Sequence, residues 1–257
     1  MANITPAEHA DEFGKLVIQD IGGRMMPVNT YASELLRKLS KHDTYEGLSA
    51  NQVYLSIHES PLLWYNVPLI YLRLKKGDSI RNIIGVDKNQ KYVTLADFFS
   101  DRGDYKLGKY LEDAYKALTP NAYEKEFKET DQRVNLLYNT IEGRSLKIFP
   151  LPDNDNNKWI SSFEYRTGNY KIQDTLYANF INNGFGAYLY TLNADKKSPD
   201  SDFSDSNKIL ESFKKTQQKY GSEVMLSDEK INTEIKYNKY DIFKKLFSWY
   251  MYAGTLM

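Results

Sequence analysis

The stretch LVIQDIGGRMMPVNTYASELLRKL, residues 16–39, constrains the fold more than any other part of the chain. Leu16 to Gln19 reads as a strand, Asp20-Ile21-Gly22-Gly23 as a turn, and Arg24 to Met26 as a returning strand stopped by Pro27. Asn29 or Thr30 then caps a helix on which Tyr31, Leu35, Leu36 and Leu39 share a face, with Glu34 and Lys38 pairing at i, i+4 on the other side. Strand, turn, strand and helix within 24 residues commit the N-terminal part to mixed α and β structure. The glycines do not form a phosphate loop. A P-loop needs Lys and Ser or Thr straight after its glycines, and a dinucleotide fingerprint needs three spaced glycines opening into a helix. Arg24-Met25-Met26-Pro27 follows instead, so Gly22 and Gly23 read as turn residues.

The rest of the chain extends the pattern. Thr5-Pro6 starts a short helix that ends near Gly14. Ser49 and Gln52 form a capping box for a helix that turns Val53, Tyr54 and Ile57 inward and is ended by Pro61. VPLIYL (67–72) reads as a strand, residues 79–86 as helix-like, and 91–99 as a strand running into a helical turn. Helices follow near 106–118 and 121–141, then the extended LKIFPLP and the polar loop DNDNN. Beyond about residue 165 the text is helical, near 170–195, near 205–221 and from Ser227 onward, with KKSPDSDFSDS as a polar linker. The expected fold class is α+β, predominantly helical, with a few short strands in the N-terminal half. The expected divisions are an α+β core over 1–165, a helical extension over 166–245 and a terminal apolar segment over 246–257.

That last segment carries no charge from Leu246 to Met257, with Lys244 and Lys245 just before it. Twelve residues cannot cross a bilayer, which takes about 20. Phe243, Leu246, Phe247, Tyr250 and Met251 form one helical stripe, and the opposite side is uncharged as well. Two readings stay open, a helix buried in the core and the beginning of a transmembrane helix. The first residues show no signal peptide, which reads literally as a cytoplasmic chain and equally as an internal piece of a longer one.

Composition excludes several functions. With 34 basic and 34 acidic residues, net charge is zero, against the electrostatic footprint of a nucleic-acid binder. No cysteine is present, so disulfides, thiolate nucleophiles and thiolate metal ligands are excluded. His9, His42 and His58 are far apart and form no metal motif; no GxSxG occurs, and no catalytic residue is assigned. His58 lies one helical turn from Tyr54 and near Trp64, a setting in which a histidine can hold haem iron. The 21 tyrosines suit core packing, or alternatively a carbohydrate-binding or hydrolytic surface with paired carboxylates.

Three segments together resemble a known family. PAEHADEFGKLVIQDIGGRMMPVNTYASELLRKL, EKEFKETDQRVNLLYN and LKIFPLPDNDNNKW, in that order, are similar to blocks of large bacterial cytochrome c biogenesis proteins in which a ResB-like part is fused to a CcsA-like part. The resemblance implies an extracytoplasmic region between transmembrane segments of a complex that exports haem, keeps it reduced and joins it to CxxCH cysteines. It implies haem as the cofactor of the parent complex, with apocytochrome c and sister membrane segments as partners. An excised internal domain would also account for the missing signal peptide and the apolar end. His9 matches the histidine of the opening block and, with His58, is the candidate haem contact. Arg24, Asn29, Asp131, Arg133 and Asn135 fall in family blocks and are candidates for a partner-docking surface. The family's tryptophan-rich haem segment is absent, since Trp64, Trp159 and Trp249 are isolated. The module therefore reads as a scaffold or docking surface, with the chemistry elsewhere in the complex.

Overall fold

The computed structural model describes residues 4–198, 200–240 and 242–256, without the side chains of 242–245, 248 and 256. Helix α1 (Ala7–Gly14) is followed by the hairpin β1 (Val17–Gln19) and β2 (Met25–Pro27), then α2 (Val28–Ser40). A second hairpin, β3 (Thr44–Tyr45) and β4 (Leu48–Ser49), leads into α3 (Ala50–Glu59) and the single turn α4 (Pro61–Trp64). Strand β5 (Ile70–Tyr71) pairs across α5 (Asp78–Ile84) with β6 (Tyr92–Val93). Then come α6 (Gly108–Lys116), α7 (Ala122–Ile141), the pair β7 (Phe149–Pro150) and β8 (Trp159–Ile160), and α8 (Ser162–Thr167). The chain continues through α9 (Thr175–Lys197), α10 (Ser204–Tyr220), α11 (Asp228–Tyr240) and α12 (Ile242–Leu256). The four sheets have two antiparallel strands each, so the fold is predominantly helical α+β, as the sequence implies.

Local chemistry explains most element ends. Ser49 accepts from the Gln52 amide at 3.3 Å while Gln52 Oε1 accepts from the Ser49 amide at 3.0 Å, the expected reciprocal cap. Asn121 and Glu124 repeat it at the start of α7. Two starts differ from expectation. Pro6 itself is the extended residue before α1, because the Thr5 hydroxyl is drawn away to donate to Glu59 at 3.0 Å. Pro27 plays the same part for α2, and Asn29 turns its amide to Asn51 instead. Helix α2 ends on Lys41 in the left-handed conformation (φ 67°).

The core joins both ends of the sequence. Phe13, Leu36, Tyr54, Trp64, Leu137 and Phe149 share one buried cluster with Tyr188, Leu192 and Phe213 from α9 and α10. Phe13 stacks on Tyr188 with centroids 5.8 Å apart, packing α1 against α9. A fully buried glutamine ties the hairpin into this arrangement. Gln217 of α10 accepts from the Val17 amide at 3.1 Å, and donates to the Val17 carbonyl at 2.8 Å and the Ile148 carbonyl at 3.0 Å. Its side chain serves as one more strand beside β1. Gln19 adds a second tie, accepting from the Trp159 amide at 2.7 Å and donating to the Asn157 carbonyl at 3.1 Å.

The expected helix from Ser227 is two helices, α11 and α12. In α12 the side chains of Leu246, Phe247, Trp249, Tyr250, Met251 and Tyr252 are exposed. Phe243, the first residue of the expected stripe, and the flanking Lys244 and Lys245 have side chains outside the described residues. Among the described residues, no helix is long and apolar enough to cross a membrane.

Candidate functional site

The opening stretch builds one side of a cavity of about 310 Å³. Hairpin pairing sets Ile18 opposite Met26 and Gln19 opposite Met25. The turn closes by a hydrogen bond from the Gly23 amide to the Asp20 carbonyl at 3.1 Å, and Asp20 Oδ1 accepts from the Arg24 amide at 2.9 Å. Gly23 has φ +86°, which an L side chain rarely adopts. Ile21, at the tip, is 100% exposed and lines the cavity mouth. From α2, Tyr31, Glu34, Leu35 and Lys38 follow at helical spacing. The Glu34–Lys38 pair, 3.7 Å apart, therefore stands at a rim and not on a featureless solvent face.

The facing side comes from the end of α7 and the segment after it. Leu136 and Asn139 lie on the helix, Gly143 (φ +71°) reverses the chain, and Arg144, Ser145 and Lys147 follow. Lys147 pairs with Glu164 of α8 at 3.1 Å. The Arg144 guanidinium lies over the Phe163 ring at 4.0 Å, which fixes its plane. Its buried Nε has no hydrogen-bond partner, and its nearest carboxylate, Glu142, is 4.0 Å away. The Tyr54 hydroxyl, fully buried and outside the cavity lining, lies near Ser145 but has no hydrogen-bond partner of good geometry. Burial pushes the Tyr54 phenol well above its usual range and raises that of Tyr31, so both remain neutral hydroxyls.

Sequence reasoning placed the glycine turn but missed this cavity wall. Nothing in GRS marks Arg144 or Ser145, since one arginine after a helix-ending glycine is ordinary surface text. The α2 residues were legible as a helix face. Their role at a cavity depends on α7 and α8, more than 90 residues on.

The two histidines considered for haem lie elsewhere, in the core. His9 is 4% exposed; its Nε2 is 3.0 Å from the Tyr188 hydroxyl and its ring stacks on Phe203 at 5.0 Å. His58 is 9% exposed, with the edges of Tyr54 and Phe185 against it at 4.8 and 5.4 Å. Desolvation lowers the pKa of both, that of His58 to about 4. Each has a ring nitrogen without a partner, Nδ1 of His9 and Nε2 of His58. A porphyrin would have to displace these aromatic neighbours to reach either iron-ligating nitrogen. The cavity is lined by neither ring, and its volume of about 310 Å³ is at the small end for ligand sites, too small to enclose a porphyrin. Neither histidine fits as a haem ligand in this structure. Among the described residues no cluster of histidine and carboxylate side chains can hold a metal ion.

The docking candidates divide. Asp131 is buried and accepts from the Tyr105 and Tyr115 hydroxyls at 2.9 and 2.8 Å. Burial, reinforced by that pairing, pushes the Tyr115 phenol up to about 12. Arg133 is buried too, bonded to the Tyr71 carbonyl at 3.2 Å and Glu129 at 2.9 Å. Asn29 is half-buried against Asn51. Arg24 and Asn135 are the exposed members. Arg24 joins the hairpin to α11 through Glu234 at 2.6 Å, and Asn135 lines a 200 Å³ surface cleft with Phe99, Tyr105 and Tyr138.

The structure thus defines a helical α+β domain with a small amphipathic cavity, half of it drawn from residues 16–39. No family model matches the chain. Among characterised proteins, NrfI of Wolinella succinogenes is 30% identical over 252 residues, which is 95% of this chain and 26% of that protein. The chain thus spans about a quarter of the relative it matches.

Proposed function

We propose that this chain is an extracytoplasmic module of a cytochrome c biogenesis protein, serving as a docking or scaffolding surface for apocytochrome c or for partner domains of the same haem-handling machinery. The observation that carries the reading is the 30% identity with NrfI along 95% of the chain, taken with the three blocks that resemble cytochrome c biogenesis proteins of the fused ResB/CcsA kind. Enclosure of His9 and His58 favours docking over haem ligation for this part. Placement against a membrane is part of the proposal, and the exposed apolar side chains of α12 suit it. Arg24, at the junction of hairpin, α2 and α11, and Asn135, on the α7 cleft, are the docking residues retained.

The reading is tested by binding of the purified chain to a reduced, unfolded CxxCH-containing apocytochrome, with the folded holocytochrome as control. Saturable binding of the apo form alone is the expected result, weakened several-fold by Asn135→Lys. Equal binding of both forms, or none at 100 μM chain (about 5 kcal/mol of affinity), would remove the docking role.

A further inference from the structure

We infer that the cavity between the β1–β2 hairpin, α2 and the end of α7 is a binding site for a small amphipathic carboxylate, its carboxylate held by Arg144 and its apolar body lying on Met26, Leu35 and Leu136. The inference does not rest on the cytochrome reading.

Charge pairing around the cavity singles out Arg144. Glu34 stands between Arg24 and Lys38, at 3.7 Å from each. Glu164 holds Lys147 at 3.1 Å, and Asp20 is engaged by the Arg24 amide. Every lining carboxylate thus already faces a donor. Arg144 faces only Glu142, at 4.0 Å, and its Nε hydrogen is buried with no acceptor. An orphaned buried donor carries a cost that a native fold normally removes. The Nη groups of a guanidinium form a planar fork that matches a carboxylate, and the Arg144 side chain, 43% exposed, lines the cavity while its Nε stays buried. The Phe163 ring under that plane fixes the fork without satisfying it.

The lining selects the rest of the ligand. Its floor is Met26 and Leu35, both buried, with Leu136 and the Tyr31 ring at the side. A phosphate or dianion would find one uncommitted cation and an apolar floor, a poor match. A monoanion with an alkyl or aryl body meets both requirements. The volume, about 310 Å³, lies at the small end for ligand sites. The Ser145 hydroxyl, which also lines the cavity, supplies a further donor.

The experiment titrates 4-phenylbutyrate into the 257-residue chain, following backbone amide NMR signals, with 4-phenylbutanol as the neutral counterpart. Saturable shifts at Tyr31, Leu35, Ser145 and their neighbours are expected, with the alcohol about tenfold weaker or more, as for loss of a charge-assisted bond. Arg144→Gln lowers affinity for the acid by a similar factor and leaves the alcohol unchanged, and Arg144→Lys falls between. Leu136→Trp fills the cavity and abolishes binding of both; should it fail to fold, the Arg144 pair carries the test alone. Absence of saturable shifts at 10 mM ligand (an affinity weaker than about 3 kcal/mol) overturns the site. Equal affinity for acid and alcohol, or an Arg144→Gln chain that binds the acid as before, overturns the assignment of Arg144 to a carboxylate.

Discussion

Two arginines, each beside a glycine turn, show what the fold does with a guanidinium in opposite circumstances. Around Arg81, residues 72–90 wrap a fully buried side chain whose Nε, Nη1 and Nη2 donate to the carbonyls of Gln90, Arg73 and Leu72 at 2.7–2.9 Å, and to Asp78 at 3.2 Å. Gly77 is glycine because a Cβ there would stand 2.8 Å from the Arg73 carbonyl and 3.0 Å from the guanidinium. Around Arg144 the chain also turns on a glycine, yet the guanidinium is clamped by a ring and its Nε donates to nothing. The first environment is closed by the protein itself. The second is left open at a cavity, and that difference separates a structural strut from a binding group.

The largest effect expected from this contrast is on Arg81. Arg81→Leu leaves the Leu72 and Gln90 carbonyls without donors, while the Arg73 carbonyl keeps the Gly77 amide, and is expected to cost about 3–5 kcal/mol, read from urea denaturation. Arg144→Leu is expected to cost no more than about 1 kcal/mol. Similar costs for the two would erase the distinction.

His58 offers the next test, because its Nε2 is unpartnered but sealed in the core, where no ligand reaches it. Its folded pKa, about 4, lies below the unfolded value of 6.5. Between those values the unfolded state binds the proton and the folded state does not. Stability therefore falls as pH drops from 6.5 to 4, by about 3 kcal/mol, and levels off below. His58→Phe should remove most of that slope, leaving the smaller one from His9, whose pKa burial also lowers. An unchanged slope in the variant would show that the ring is not the proton acceptor.

Gln217 belongs with Arg81 as a satisfied group, so Gln217→Leu should cost about 2 kcal/mol by stranding both polar groups of Val17. Tyr54 belongs with Arg144. Tyr54→Phe is expected to be neutral or to stabilise by up to about 1 kcal/mol, since the lost hydroxyl has no partner. A cost above about 1 kcal/mol in calorimetry would mean that the hydroxyl is satisfied.

What could be read from the sequence follows from how local each feature is. The β1–β2 hairpin, the Ser49–Gln52 cap and the long helices are set by residues a few positions apart, and they stand where periodicity and turn chemistry put them. Two helix starts moved by one or two residues because a side chain distant in sequence, Glu59 or Asn51, competed for the expected capping group. The glycine turn was read correctly as a turn, but its neighbours' part in a cavity was not. Tyr31 and Leu35 meet Leu136 and Arg144 only through tertiary packing, and no spacing rule links them. Likewise Asp131 and Arg133 read as surface charges on a helix, whereas tyrosine hydroxyls and a backbone carbonyl hold them inside.

The tie between Val17 and Gln217 spans 200 residues, which bears on the order of folding during synthesis. The hairpin is among the earliest parts of the chain to emerge, and the helix that completes its outer edge is among the latest. Until α10 arrives, the amide and carbonyl of Val17 have no internal partner, and the strand edge is open to mispairing. A contact of such long range is slow to form, because closing the intervening loop costs entropy before any bond is made. The earliest hairpin is thus the last to be secured, and a chain halted before residue 217 carries an unprotected strand edge.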